Sequence, residues 1–442
     1  MIQDETIVAI ATPAGRGGLG VVRLSGPEAL AIGEALLGGR ALPPRQARWA
    51  EFRDGDGAVL DEVVAVYFPA PHSATREDVV EITAHGAPVL LEAMVRAALG
   101  RGARLAEPGE FTRRAFLHGR LDLTQAEAVG DLIAAQTLFQ ARTAARQMQG
   151  AVARRLRPLH QGLVNLVARL EAGIDFADDD VTLPDDVGVV AEIAALAGPL
   201  AELVASFQQG RVVREGVAVA LVGRPNVGKS SLFNRLLARE RAIVTAQPGT
   251  TRDLLEASLD WEGIPVRLLD TAGIREPQGE AERLGIEKSW EAAADADLVL
   301  GVFDASQPCS AADEELQGRL EALPRALVVW NKCDLTPTAP GQGFAISALT
   351  GAGVAELRAG VRARVLPELG EEGERITNAR HAQHLAAAAE HLRRAAAAVG
   401  RVPHEVLLVE LYETLRQLDA ITGQTTVEDI LGVIFSTFCI GK

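Results

Sequence analysis

GRPNVGKS, residues 223–230, stands between the apolar run VAVALV and the segment SLFNRLLARE. A strand, a tight loop of the form Gly-x-x-x-x-Gly-Lys-Ser and a helix leave the chain little choice of geometry. Unpaired backbone N–H groups converge at the helix N-terminus, whose partial positive charge favours phosphate oxygens. The pattern therefore sets Asn226, Val227, Gly228, Lys229, Ser230 and Ser231 around the phosphates of a nucleotide. Lys229 reaches the β- and γ-oxygens, and the Ser230 hydroxyl ligates Mg²⁺.

Four further elements follow in order, each at the end of a strand-like run. GTTRD (249–253) offers Thr250 and Thr251, of which one closes on Mg²⁺ and the γ-phosphate. DTAG (270–273) ends VRLLD, with Asp270 behind the metal and Thr271, Ala272 and the Gly273 N–H beside the γ-phosphate. NKCD (331–334) ends ALVVW and contributes Asn331, Lys332 and Asp334. The Asp334 carboxylate can accept two N–H bonds from guanine, which adenine cannot offer. Ser347 and Ala348 of SAL (347–349) complete the base pocket. Ligands of α/β sheets bind at strand ends, so these residues predict a Ras-like GTPase domain on a parallel sheet over about 216–370. The water-orienting glutamine of the Ras pattern is replaced by Ile274, which cannot polarise water. Glu276, Glu280 and Glu282 are the acidic candidates, against the plainer reading of a solvated switch surface. Arg252 and Arg275 lie in the switches, and neither is assignable as an arginine finger.

Outside this block the text differs. TIVAIAT (6–12), GVVRLS (20–25) and VVAVYF (63–68) read as strands and APVLLEAMVRAAL (87–99) as a helix, an α+β opening domain. From Asp122 to about Ala177 helical spacing suggests two long helices broken near Pro158. DFADDDVTLPDDV (175–187) reads as a solvated acidic connector, since it offers no closed metal-ligand spacing. Helical text covers about 189–208 and returns from about 378 to 442, so the α/β block is inserted into a helical domain. The expected boundaries are 1–118, 119–215, 216–375 and 376–442. GRGGLG (15–20) imitates a dinucleotide fingerprint, but a strand follows it in place of a helix, and Arg40 stands where an acidic residue belongs; it reads as a glycine-rich hairpin or loop.

Cys309, Cys333 and Cys439 are too scattered for a disulfide framework or a metal site, which fits a cytoplasmic protein. The uninterrupted apolar runs fall short of the ~18 residues of a membrane span, so no membrane insertion is expected. The net charge of −15 argues against a large nucleic-acid surface of the chain's own. Of 44 basic residues only four are lysine, Lys229, Lys288, Lys332 and Lys442. Lysine survives where a compact ammonium is required, and two of the four lie in the nucleotide motifs.

With these motifs in place, the whole chain resembles the bacterial tRNA modification GTPase family, MnmE (also TrmE). TIVAIATPAGRGGLGVVRLSG, EPGEFTRRAFLHGRLDLTQAEAVGDLI (107–133) and the terminal FCIGK carry the likeness beyond the central domain. The resemblance implies a homodimer that joins an FAD-dependent partner, MnmG (GidA), in a heterotetramer and reaches tRNA through that complex. It implies installation of an aminomethyl or carboxymethylaminomethyl group on C5 of the wobble uridine. A 5-formyl- or methylene-tetrahydrofolate held by the N-terminal α+β domain would supply the carbon. Arg23, Glu81, Arg120 and Lys442 match the folate-contact positions, Arg120 standing where lysine is common. K⁺-dependent GTP hydrolysis is implied as well, with Asn226, Thr245, Gln247 and Thr250 around K⁺, Mg²⁺ on Ser230 and Thr251, and Glu282 orienting the water. Cys439 matches a cysteine that acts in modification; Gly441 and the final lysine spoil a prenylation box. The competing functions are a regulatory GTPase switch acting on ribosome assembly or a membrane without transfer chemistry, and a folate enzyme active without a flavoprotein.

Overall fold

The computed structural model describes residues 5–54, 56–175, 185–238, 255–261, 263–270, 296–323, 325–336, 341–365, 375–424, 434–435, 438–439 and 441. The chain forms two compact units, one of residues 1–130, 145–197 and 387–442, the other of residues 131–144 and 198–386.

The first unit opens with β1 (Ile7–Ile10), β2 (Gly17–Ser25), α1 (Ala29–Leu36), β3 (Arg48–Arg53), β4 (Val59–Phe68), β5 (Val79–Gly86), α2 (Pro88–Leu99), β6 (Arg104–Leu105) and α3 (Glu110–Leu117). The sheet order is β3-β4-β5-β2-β1-β6, antiparallel throughout except where β6 lies parallel to β1. Strand residues alternate between faces. Val22, Leu24, Val80 and Ile82 therefore meet Ile32 of α1 and Met94 of α2 in one core, and Arg23 and Glu81 between them point to the other face. The glycine run leads from the β1–β2 connection into β2, which holds Gly17, Gly18 and Gly20 and pairs antiparallel with β1 as a hairpin. Gly86 needs its missing side chain, because a Cβ there would sit 2.7 Å from the Gly17 carbonyl oxygen.

Next come α4 (Leu123–Ala134), α5 (Leu138–Met148), α6 (Ala151–Asp175) and α7 (Asp186–Glu215). The predicted break at Pro158 does not occur. Proline removes one N–H within α6, but the buried stripe Leu156, Leu159, Leu163, Leu166 and Leu170 runs on through it. In place of the two helices expected the segment forms three, interrupted at residues 135–137 and at Gly150, which adopts the left-handed φ of 83° that ends many helices. The helix expected over about 189–208 is found as α7 and is longer. An 18-residue window of it reaches a mean hydropathy of 1.8, enough by length and composition to cross a membrane, which the reading of apolar runs did not register. Valine, isoleucine, leucine and alanine with few charges raise its hydropathy, while Glu192, Gly198, Pro199 and Glu202 keep the apolar run broken; Val189, Ile193, Leu200 and Leu203 are buried.

The second unit contains β7 (Val217–Val222), α8 (Lys229–Ala238), β8 (Leu255–Trp261), β9 (Ile264–Asp270), β10 (Leu298–Asp304), α9 (Ala311–Glu321), β11 (Ala326–Asn331), β12 (Phe344–Ala345) and α10 (Val354–Val365). Its sheet has the order β12-β11-β10-β7-β9-β8. Val217, Val219 and Leu221 enter one core and Ala218, Ala220 and Val222 another, so β7 is buried on both faces, which explains its continuous apolar text. The predicted all-parallel sheet needs one correction. β8 runs antiparallel to β9, because Trp261 and Ile264 are joined by a tight turn through Gly263 (φ 95°), and parallel strands need a long crossover. Residues 131–144 dock on this unit: Thr137 Oγ1 donates to the Gly263 carbonyl at 2.6 Å, and Arg214 pairs with Asp131 at 2.8 Å. The chain closes with α11 (Ala379–Ala398) and α12 (His404–Thr422), and α12 packs along α6.

Candidate functional site

In the second unit β7 ends in the loop 223–228, and Lys229 opens α8. Asn226 takes a left-handed φ of 62°, a conformation asparagine tolerates better than most residues. Gly228 has φ 97°, and a Cβ there would lie 2.2 Å from Asn331 Nδ2. Both glycine freedom and close approach are thus required at this position. Val227 is buried, while Asn226, Ser230 and Ser231 are exposed. The buried Lys229 ammonium lies across the loop, donating to the Gly223 and Arg224 carbonyls at 2.7 and 2.8 Å.

Asn331, at the end of β11, draws the base-reading loops to this cradle. Its Nδ2 donates to the Val227 carbonyl, and its Oδ1 accepts from the Ala348 N–H, both at 2.9 Å. Ala348 thereby meets the phosphate loop through Asn331. Arg235 of α8 adds bonds to the Ala348 carbonyl at 2.7 Å and to the Leu349 carbonyl. Ser347 is fully buried and its Oγ accepts from Thr350 N at 3.1 Å, shaping the turn. Asp334, the carboxylate expected to read guanine, is exposed.

Lys332 serves differently from its neighbours. At φ 67° it donates from Nζ to Asp304 Oδ2 at 2.6 Å. Asp304 ends β10, and its Oδ1 accepts from Ser306 N and Oγ. Burial alone would raise the Asp304 carboxyl, but the Lys332 and Ser306 bonds outweigh it and hold the group below its ordinary range. Sequence reasoning missed Asp304: one aspartate ending an apolar strand gives no signal apart from its place level with the other strand ends. Asp270 ends β9 beside Leu221, in register with the phosphate loop. Thr245, Gln247, Thr250, Thr251, Thr271, Ala272, Gly273 and Glu282 lie outside the described residues, as do Glu276, Glu280, Arg252 and Arg275 and most of the acidic connector.

The first unit holds a second candidate site. Arg23 on β2 and Glu81 on β5 are register partners, and Arg23 reaches Glu81 Oε1 from Nε and Nη2 at 2.8 Å. The same guanidinium stacks 5.6 Å from the Phe111 ring centroid. Glu81 and Arg120 line a common cleft of about 550 Å³ with Arg45, His72, Ser73 and Arg76. Three of the four anticipated folate positions are therefore brought together, and Lys442 lies outside the described residues. Both Arg23 contacts fall on Oε1, which leaves Glu81 Oε2 as an acceptor; such a carboxylate with nearby arginines fits the N–H edge and the acidic tail of a folate.

One wall of the cleft, residues 72–77, is pinned from below. Arg120 donates to the Ala74 carbonyl, Arg76 Nη1 to the His118 carbonyl at 2.7 Å, and Arg114 to both Glu77 oxygens at 3.1 Å. Arg114 also reaches Glu110 Oε1 at 2.9 Å, and Arg104 reaches it at 2.7 Å. Burial pushes the Glu110 carboxyl up, yet the Arg104, Glu107 and Arg114 bonds more than offset this and hold it low. The tail docks on this unit too. Gly441 sits where a Cβ would be 2.3 Å from the Ile10 carbonyl, the Cys439 carbonyl accepts from Gly109 N at 3.4 Å, and Cys439 itself is exposed.

Two family profiles match the chain, one described as "GTP-binding protein TrmE N-terminus" over residues 6–120 and one as "MnmE helical domain" over residues 123–439. A tRNA modification GTPase MnmE of Koribacter versatilis is 54% identical over 99% of both chains. That of Aquifex aeolicus is 43% identical over 99% of this chain and all of its own. The G domain of the T. maritima FeoB iron transporter is 28% identical over 34% of this chain and 98% of its own, at a TM-score of 0.27, too low to bear on the fold. Full-length identity of this order, with both profiles in sequence, means that the chain belongs to the tRNA modification GTPase MnmE family and is a GTPase that acts in tRNA modification.

Proposed function

We propose that the chain hydrolyses GTP in a K⁺-dependent manner and, as a homodimer joined to the FAD-dependent MnmG, uses a tetrahydrofolate carbon to modify C5 of the wobble uridine of tRNA. The observation that carries this reading is that Glu81 and Arg120 line one cleft, with Arg23 bonded to Glu81 from the neighbouring strand, in a chain that also has a phosphate cradle. A pure nucleotide switch has no use for that cleft.

In the nucleotide unit the loop amides and Lys229 would bind the phosphates, and Ser230 with Thr251 would hold Mg²⁺. Asn226, whose side chain is exposed at the loop's left-handed position, would hold K⁺ with Thr245, Gln247 and Thr250. A cation there supplies charge that stabilises the transition state as an arginine finger does. Glu282 would orient the attacking water and Asp334 would read guanine. In the first unit Glu81 would accept the N–H edge of a pterin, with Arg23 holding that carboxylate in place through Oε1 and Arg120 taking the folate's acidic tail. Tetrahydrofolate, when bound, supplies the one-carbon unit, and Cys439 acts at the same end of the molecule.

GTP turnover measured in K⁺ and in Na⁺, with and without tetrahydrofolate, tests the proposal. It predicts stimulation by K⁺ of roughly tenfold or more, within the range a charge-stabilising group supplies, and loss of that stimulation in Glu282→Ala with GTP affinity retained. Equal turnover in both ions, together with no folate binding, would leave only the switch.

A further inference from the structure

Arg224 is the second residue of the phosphate loop, and its two ends do different things. Its guanidinium forks onto Asp313, Nε to Oδ1 and Nη2 to Oδ2, each at 2.7 Å. Its carbonyl accepts the Lys229 ammonium at 2.8 Å. Asp313 is 4% exposed and belongs to the first turn of α9. There Oδ2 accepts from Ser310 N and Oγ at 2.9 and 2.8 Å, while Asp313 N donates to Ser310 Oγ at 3.3 Å, a complete capping box. One carboxylate therefore closes the start of α9 and clamps the peptide against which the phosphate-binding ammonium rests. A capping box needs no arginine, yet this buried acid also takes a partner 89 residues away in the phosphate loop.

We propose that Asp313 is a positioning residue for nucleotide binding: through the two-bond fork to Arg224 it fixes the loop carbonyl that places Lys229. A bidentate fork sets the plane and direction of a guanidinium, which a single contact does not. α9 is a firm anchor, since Leu320 near its other end is buried against the sheet. Burial raises the Asp313 carboxyl, and the Ser310 and Arg224 bonds outweigh it, so the acid end of the fork stays charged. The proposal rests on reading residues 223–230 as the phosphate cradle.

The test is equilibrium GTP titration and thermal melting of the full chain carrying Asp313→Ala, Arg224→Ala, both together, Ser310→Ala or Lys229→Ala. Positioning predicts that Asp313→Ala and Arg224→Ala each weaken GTP binding roughly 10- to 100-fold, the effect of losing charge-assisted hydrogen bonds. The double variant should bind no worse than the weaker single one, because both remove the same clamp. Ser310→Ala removes cap bonds while leaving the fork, and it should cost clearly less affinity than Asp313→Ala for a similar fall in Tm. Should Asp313→Ala fail to fold, Asp313→Asn keeps an oxygen for the cap and loses the charged fork, with the same affinity loss expected. Additive losses, or an Asp313→Ala effect on affinity equal to that of Ser310→Ala, would overturn the positioning role. Unchanged GTP affinity in Lys229→Ala would instead overturn the cradle reading itself.

Discussion

In the nucleotide unit the groups aimed at a ligand are largely backbone amides of residues 223–230, and the side chains around them, Asn331 and Asp304, point back into the protein to hold loops in place. In the N-terminal unit the relation is reversed. Glu81 and Arg120 offer side chains from β5 and the turn after α3, with Arg23 of β2 bonded to Glu81, over a wall pinned by the ionic network of Arg114, Glu110 and Arg104. A cradle of amides demands consecutive residues with glycine at set places. A cleft of side chains demands only that distant residues meet, and their spacing carries no pattern. The first is fragile to added atoms and the second to removed charge.

That contrast can be broken most sharply at Gly228. Gly228→Val places a Cβ against Asn331 and forces a left-handed φ on a branched residue, so GTP affinity should fall by more than roughly 100-fold, as such strain and a displaced loop cost a few kcal/mol. Near-normal titration would mean that the loop is not held as described. Glu81→Ala should weaken tetrahydrofolate binding about tenfold, the usual worth of a charged hydrogen bond, while Tm moves little, because Arg23 and Glu81 are each about a quarter exposed and such pairs contribute under ~1 kcal/mol. A large fall in Tm would recast Glu81 as structural. The smallest effect concerns acid. The folded Asp304 carboxyl lies below its unfolded value of 3.8, so its contribution to stability is present above that pH and is lost as pH falls through the folded value. Denaturant unfolding from neutral pH into acid should show this loss in the native chain and a flatter acid limb in Asp304→Asn; identical limbs would deny Asp304 its part in holding Lys332.

The same contrast explains what the sequence made legible. VAVALV is found as β7 residue for residue, since a strand buried on both faces is apolar throughout, and the run VRLLD falls within β9. β8, an edge strand carrying Glu256 and Asp260, was missed, and with it the antiparallel pair. Pro158 was read as a break because the rule for proline is local, whereas the leucine stripe that overrides it runs from Leu156 to Leu170, about four turns of α6. Of the sites, the phosphate loop and the base-reading motifs followed from chemistry at fixed spacing. Arg23, Glu81 and Arg120 came only from family resemblance, because nothing in their separation of 58 and 39 residues announces that Arg23 pairs with Glu81 or that Glu81 and Arg120 share a cleft. Asp304 and Asp313 were overlooked for a related reason. Each acts through another residue, and only coordinates show which.

Calorimetric titration of the full chain with a GTP analogue and then with tetrahydrofolate, in both orders, addresses the two-site claim most directly. The account predicts one nucleotide and one folate per chain, each bound in the presence of the other, with Gly228→Val abolishing only the first and Glu81→Ala weakening only the second. Absence of folate binding, or displacement of folate by the nucleotide, would contradict it.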